Sequence, residues 1–169
     1  MIFASGILAD QFSTPAMRAA LSDTARLAGW LAFETALARV QADMGLIPAD
    51  VPDTVAKVTP ARFDMARLKT DFDRSGVVIV AFLAQMRPLC GAAGQHVHMG
   101  ATTQDVLDTG FSLQLRDALD LIGADLDMLV SVLAGLASQY RDTVMAGRSF
   151  QQQAVPITFG YKVAVWLDE

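Results

Sequence analysis

The sequence predicts an all-α protein, on three observations. Apolar residues recur at three- and four-residue steps along most of the 169 residues. Ser, Thr and Pro stand where such runs begin. Only Val77-Val-Ile-Val80 has strand propensity, and no second segment offers to pair with it. With 53% hydrophobic and 18% charged residues, the chain can fill a sizeable core and is not disordered.

Taken in order, Ser22 caps a helix whose apolar stripe is Trp30, Phe33, Leu37, Val40 and Met44, stopped by Gly45 and Pro48. Thr59-Pro60 opens a second helix, with Phe63, Ala66 and Phe72, running to about Asp73. Val77–Leu89 is a third, which Pro88 bends or ends. Gly91–Thr103 is a loop holding both histidines, His96 and His98. Thr102 and Asp105 then form a capping box at the head of a helix reaching about Arg141, on the order of 55 Å long. Along it Ile122, Leu126, Leu129, Leu133, Leu136 and Tyr140 make a bundle seam, and Gly110, Gly123 and Gly135 permit close helix approach. Met145–Val155 is expected to be a loop. Pro156 should begin a last helix, patterned on Phe159, Val163, Trp166 and Leu167 and still running at Glu169, so the sequence reads as unfinished. The glycine-bearing loop before Thr102 divides a helical N-terminal domain, residues 1–100, from the first long helices of a bundle, 101–169.

Thirteen Lys+Arg against 18 Asp+Glu, without a basic stripe, exclude a nucleic-acid partner. The uncharged stretches Gly76–Met86 and Met128–Tyr140 fall short of the roughly 20 residues of a membrane span. Met1–Asp10 lacks a signal peptide's positive start, so a cytoplasmic protein is expected. A single Cys90 and no Cys/His cluster leave neither a disulfide framework nor a metal site. Cys90 is expected to be a small core or loop residue and His96 to face solvent. Glu34, amid an apolar helical pattern, should make a buried pair or face a partner subunit.

Two segments carry chemistry. In His98–Thr109, Thr102, Thr103 and Gln104 bring two hydroxyls and an amide to a helix N-terminus, where free N–H groups and the dipole favour an anion. Read on its own, the segment is more simply a capped helix start. In Gly147–Gly160 and the following Lys162, a guanidinium (Arg148), a hydroxyl (Ser149) and three amides (Gln151–Gln153) suit a polycarboxylate. Alone, that segment is more simply a polar connection.

Together they resemble the first two signature regions of the fumarase/aspartase superfamily. His98-Met-Gly-Ala-Thr-Thr-Gln-Asp-Val-Leu-Asp-Thr109 is similar to the His-x-Gly-Ala-Thr-Ser-Gln-Asp-Val-x-Asp-Thr of the 3-carboxy-cis,cis-muconate cycloisomerase branch. Phe12–Met17, Phe33–Arg39, Leu46–Pro48 and Ser75–Val78 fit too, so the resemblance covers nearly the whole chain. Adenylosuccinate lyases differ at three places. They carry Arg-Tyr where this chain has Gln11-Phe12, Arg-His-Asp at Arg74-Ser75-Gly76, and a catalytic histidine at Phe150.

The resemblance implies a helical N-terminal domain and a bundle that becomes a twenty-helix core in a homotetramer. It implies lactonization of 3-carboxy-cis,cis-muconate, or a close analogue, in aromatic catabolism, with no cofactor and no metal. Thr102, Thr103 and Gln104 would hold the carboxylate at which charge develops. His98 would orient it, Arg148, Ser149 and Gln152 would bind the other carboxylates, and Lys162 would compensate charge. The superfamily's third signature, a mobile Ser-Ser-x-Met-Pro-x-Lys loop with a proton-transferring serine, has no match here. No catalytic proton donor is therefore assigned, and the 169 residues alone are expected to be incomplete and inactive. An adenylosuccinate- or argininosuccinate-type lyase and a non-catalytic helical assembly module remain open as alternatives.

Overall fold

A computed structural model describes residues 7–169, so the reading of Met1–Asp10 lies largely outside the described residues. These contain seven α-helices and one two-stranded hairpin. They form two compact units, divided between Ala118 and Leu119.

In the first unit, Thr14 caps α1 (Pro15–Ala20) and Ser22 caps α2 (Asp23–Asp43), each hydroxyl accepting a backbone N–H three residues on. The buried face of α2 is Leu27, Trp30, Leu31, Glu34, Ala38 and Gln41. Val40 and Met44, expected in that stripe, are 56% and 67% exposed. The apolar count misplaced the stripe because two of its members, Glu34 and Gln41, are polar side chains bonded to the His98–Met99 segment.

After α3 (Val51–Val55), which the sequence reading did not anticipate, the helix expected from Thr59-Pro60 breaks in two. Pro60–Arg62 makes a single 3-10 turn, Phe63 is extended, and Asp64 caps α4 (Met65–Ser75) by accepting from the Arg67 N–H at 3.0 Å. The break turns Phe63 inward, where it stacks on Phe82 with ring centroids 5.4 Å apart. Gln85 holds it there. Its Oε1 accepts from the Asp64 N–H at 2.9 Å, and its Nε2 donates to the Asp64 carbonyl at 3.0 Å. Gly76, at φ +69°, ends α4 in the left-handed conformation. The Val-Val-Ile-Val segment is helical as expected, in α5 (Val78–Leu89), with Pro88 in the last turn. Phe82 and Met86 on its inner face are fully buried, and Trp30 meets Phe82 edge-on at 5.4 Å.

The long helix α6 spans Thr103–Gln139. Gly110 is the glycine that makes a close approach: a Cβ on Gly29 would lie 2.9 Å from the Gly110 Cα, and one on Gly110 would lie 2.6 Å from Trp30 Cδ1. Gly123 and Gly135 face open space. By length and composition alone α6 could cross a membrane, although Asp105, Asp108, Arg116, Asp117, Asp120, Asp125 and Asp127 lie along it.

In the second unit, the expected loop is a β-hairpin. β1 (Val144–Ser149) pairs antiparallel with β2 (Gln152–Thr158). Phe150 and Gln151 between them have φ of +47° and +62°, the positive values that a two-residue hairpin turn matched to strand twist requires. Neither is glycine or asparagine, so the turn left no sequence signal. Pro156 lies in β2 rather than opening a helix; it pairs with Ala146 beside a bulge at Gly147, where a two-stranded ribbon tolerates a missing N–H. Helix α7 (Phe159–Asp168) begins three residues later, capped by Thr158. The Phe159 N–H donates to the Thr143 carbonyl at 2.8 Å, and Phe159 meets Tyr140 edge-on at 5.4 Å.

Candidate active site

The first signature begins on a loop fastened to α2. His98 has φ +64°, uncommon for a residue with a side chain, and Gly100 follows at +74°. Three contacts hold this backbone. Gln41 Nε2 donates to the Met99 carbonyl at 2.6 Å, Arg87 Nη2 reaches the Val97 carbonyl at 3.4 Å, and His98 Nδ1 lies 2.7 Å from Glu34 Oε1. Glu34 and Gln41 are seven residues apart, two turns along one face of α2, so one helix positions both. The expected buried pair at Glu34 is thus with His98. Gln41 and Arg87 were missed; a glutamine two turns from Glu34 was the available clue.

Beyond this loop α6 begins. Asp105 Oδ2 accepts from the Thr102 N–H at 2.9 Å, half of the anticipated capping box. The hydroxyls of Thr102 and Thr103 have no hydrogen-bond partner among the described residues, so Thr102 does not cap the helix with its side chain. Both remain available to a ligand at the positive end of α6. The Gln104 amide donates to Asp108 one turn on, so it must leave that carboxylate to serve as an anion donor. His96 is half-buried rather than solvent-facing, at the end of a 3-10 turn, Gly91–His96. Cys90, 3% exposed, is a core residue as expected.

Burial pushes the Glu34 carboxyl above its usual range, opposed by its hydrogen bond and charge interaction with His98 and, more weakly, by Arg87. The Cys90 thiol is likewise pushed up by burial, with Arg62 opposing and Glu34 adding to the rise.

The second signature lies in the hairpin. Register pairs Arg148 with Gln153 and Ser149 with Gln152. Since neighbouring residues of a strand alternate faces, Arg148 shares its face with Gln153, and Gln152 lies opposite with Ser149. Gln153 was overlooked because the choice among three glutamines depends on register. Arg148 and Lys162 line one cavity of about 320 Å³ with Met145, Ile157, Tyr161 and Trp166. Lys162 Nζ lies 5.3 Å from the centroid of the Trp166 ring, which leaves its charge without a carboxylate partner among the described residues. Phe150, at the tip, is 97% exposed.

A larger recess of about 620 Å³ in the first unit, between Trp30, Phe72 and Phe111, contains none of the candidate site residues; Leu107 alone of the His98–Thr109 segment lines it. Its lining is mostly apolar, with Asp23, Arg26 and Lys69 among the polar members. No cluster of metal-binding side chains occurs among the described residues.

A family profile described as lyase matches residues 10–169. The chain belongs to this lyase family, within the fumarase/aspartase superfamily. It is 40% identical over 164 residues to the N-acetyl-S-(2-succino)cysteine lyase of Enterococcus italicus, covering 96% of this chain and 36% of that one. It is 41% identical to the 3-carboxy-cis,cis-muconate cycloisomerase of Pseudomonas putida, covering 90% and 37%. An adenylosuccinate lyase of Synechocystis sp. is 39% identical, covering 95% and 37%. The crystal structure of the β-carboxy-cis,cis-muconate cycloisomerase of Acinetobacter calcoaceticus superposes with a TM-score of 0.91 at 33% identity, covering 96% of this chain and 39% of that one. The chain spans a little over a third of the length of these relatives.

Proposed function

We propose that this chain is part of a cycloisomerase that closes 3-carboxy-cis,cis-muconate, or a close analogue, to a carboxylated muconolactone. The observation that carries the reading is Phe150. At the hairpin tip, directly after Arg148-Ser149, an apolar side chain stands where the resemblance gives adenylosuccinate lyases a proton-handling histidine. In lactonization the internal nucleophile is one of the substrate's own carboxylates. Its oxygen bonds to one carbon of a C=C bond, the π electrons move to the neighbouring carbon and its attached carboxylate, and a proton completes that carbon.

Charge therefore develops on a carboxylate, and fixed donors there lower the barrier. Thr102 and Thr103, with free hydroxyls at the head of α6, are assigned to it; Gln104 joins them if it leaves Asp108. His98, held by Glu34, orients the same carboxylate. Arg148, Ser149, Gln152 and Lys162 are assigned to the remaining carboxylates, and fixing both reacting ends is itself worth rate. No step requires a metal or an organic cofactor. The substrates named by the relatives (a succinylcysteine, a carboxymuconate, an adenylosuccinate) all carry more than one carboxylate, which supports a polycarboxylate site in general.

A second reading, elimination of a succinyl thioether, is favoured by the 40% identity to the succinocysteine lyase. The test is the protein expressed from the whole of its reading frame. Loss of the conjugated ultraviolet absorbance of 3-carboxy-cis,cis-muconate, with N-acetyl-S-(2-succino)cysteine and adenylosuccinate left intact, is the expected result. Thioether cleavage without lactonization would overturn it.

A further inference from the structure

Glu34 is the one buried carboxyl among the described residues, 1% exposed, and its Oε2 has no hydrogen-bond partner there. Its Oε1 lies 2.7 Å from His98 Nδ1, a distance that holds one proton between them. Three arrangements satisfy this, one of them an ionised carboxylate that accepts from the Nδ1–H of a doubly protonated ring. An ionised carboxylate accepts from Nδ1–H, which in a neutral ring leaves a bare lone pair on Nε2. A neutral acid donates Oε1–H to Nδ1 and leaves the ring proton on Nε2.

The surroundings decide between them. An ionised group would leave charge on Oε2, buried and without a donor, the most costly way to bury a carboxylate. The titratable and charged groups near it are His98 from the loop, Arg87 on α5 and Cys90 at the end of that helix. Arg87 is the only permanent cation among them, and its guanidinium is directed to the Val97 carbonyl at 3.4 Å. A neutral acid beside a neutral ring follows, since only then does Oε2 carry no charge. Backbone geometry then fixes the ring: His98 is held at φ +64°, with the Val97 and Met99 carbonyls on either side each taken by a side chain.

We propose that Glu34 is a positioning residue which, as the neutral acid, donates to His98 Nδ1 and so keeps the ring in the Nε2–H tautomer, a hydrogen-bond donor for a substrate carboxylate. The role toward substrate rests on the carboxylate-binding reading above; the tautomer does not. It also assigns a purpose to the pair. On the carboxylate-binding reading, a bare Nε2 lone pair would repel a substrate carboxylate, whereas Nε2–H donates to it.

The chain has two histidines, so long-range ¹H–¹⁵N correlation of the ring nitrogens is assignable with one His96→Gln variant. Near neutral pH the expected pattern for His98 is a protonated Nε2 and an unprotonated Nδ1. A protonated Nδ1, alone or in a doubly protonated ring, overturns the proposal. In Glu34→Gln the amide N–H can replace the acid as donor, so the Nε2–H tautomer and the affinity for fumarate, the probe used, should persist within about threefold. In Glu34→Leu the two tautomers should mix and fumarate should bind roughly tenfold more weakly, the scale of one hydrogen bond. Retention of a pure Nε2–H tautomer in Glu34→Leu overturns the positioning role. If the wild-type ring shows the expected tautomer but fumarate does not shift its Nε2 signal, the tautomer assignment stands and the carboxylate-binding reading falls.

Discussion

Thr103 and Glu34 show how single side chains divide the work at the loop. The Thr103 hydroxyl has no partner among the described residues, so removing it breaks no internal bond that a stability measurement would register. In the active protein, Thr103→Ala is expected to lower turnover about a hundredfold, the usual loss on deleting one preorganised donor, with an unchanged thermal midpoint. Unchanged kinetics would return Thr103 to the role of an ordinary helix-start residue. For Glu34 the sign of the pH effect is fixed by burial. Its folded-state pKa lies above the unfolded value, so the folded protein binds the extra proton in the window between the two. Stability from this group is complete below the ordinary carboxylate range and is lost as pH rises through the folded value. Denaturant midpoints of the wild type should therefore fall from about pH 4.5 upward, relative to those of Glu34→Gln. A wild type whose midpoint rises across that window against the variant would mean that the pair is held as an ion pair.

At the scale of elements, the α2–α6 contact gives the sharpest contrast. A methyl on Gly110 would collide with the Trp30 ring at 2.6 Å, whereas at Gly123 it meets nothing within 4 Å. Alanine gains up to about 1 kcal/mol over glycine in a helix interior, while overpacking costs about 1–3 kcal/mol. Gly110→Ala should therefore destabilise by up to about 2 kcal/mol and Gly123→Ala should be neutral or stabilising, read from denaturant midpoints. The sequence named both glycines on equal terms, because periodicity locates a helix without locating its neighbour. The same limit explains the other differences. α5 and α6 were legible, since their apolar runs are local, as is the Asp105 carboxylate that accepts from the Thr102 N–H at the head of α6. The break at Phe63–Asp64 was not, because it is held by Gln85, 21 residues away. The hairpin was not, because its turn uses positive φ at Phe150 and Gln151, residues with no turn signature. In the candidate site the motif residues could be read directly, but their fastening to α2 could not: Gln41 reaches Met99 across 58 residues.

At the scale of the whole molecule, the C-terminal half of α6 has more apolar surface than it covers. Ile122, Leu126 and Leu129 of the expected seam are 45%, 53% and 51% exposed, and Met128, Val130 and Val132 on other faces are 63%, 52% and 52% exposed. A helix apolar on all sides is stable in water only when surrounded, and one partner helix covers only one side. Bundle packing on several faces is therefore expected, and the nearest available cover for an isolated chain is a second copy of itself. Sedimentation of the purified chain should show concentration-dependent oligomers at micromolar levels. Leu126→Lys with Leu129→Lys places two charges on the seam and should shift that equilibrium toward monomer by at least tenfold in concentration. The helix should survive, because both positions are exposed and lysine is a good helix former. A wild-type monomer at micromolar concentration would contradict the seam. Oligomers that persist unchanged in the double variant would move the interface to the faces of Met128, Val130 and Val132, which flank the seam on either side at the same level of the helix.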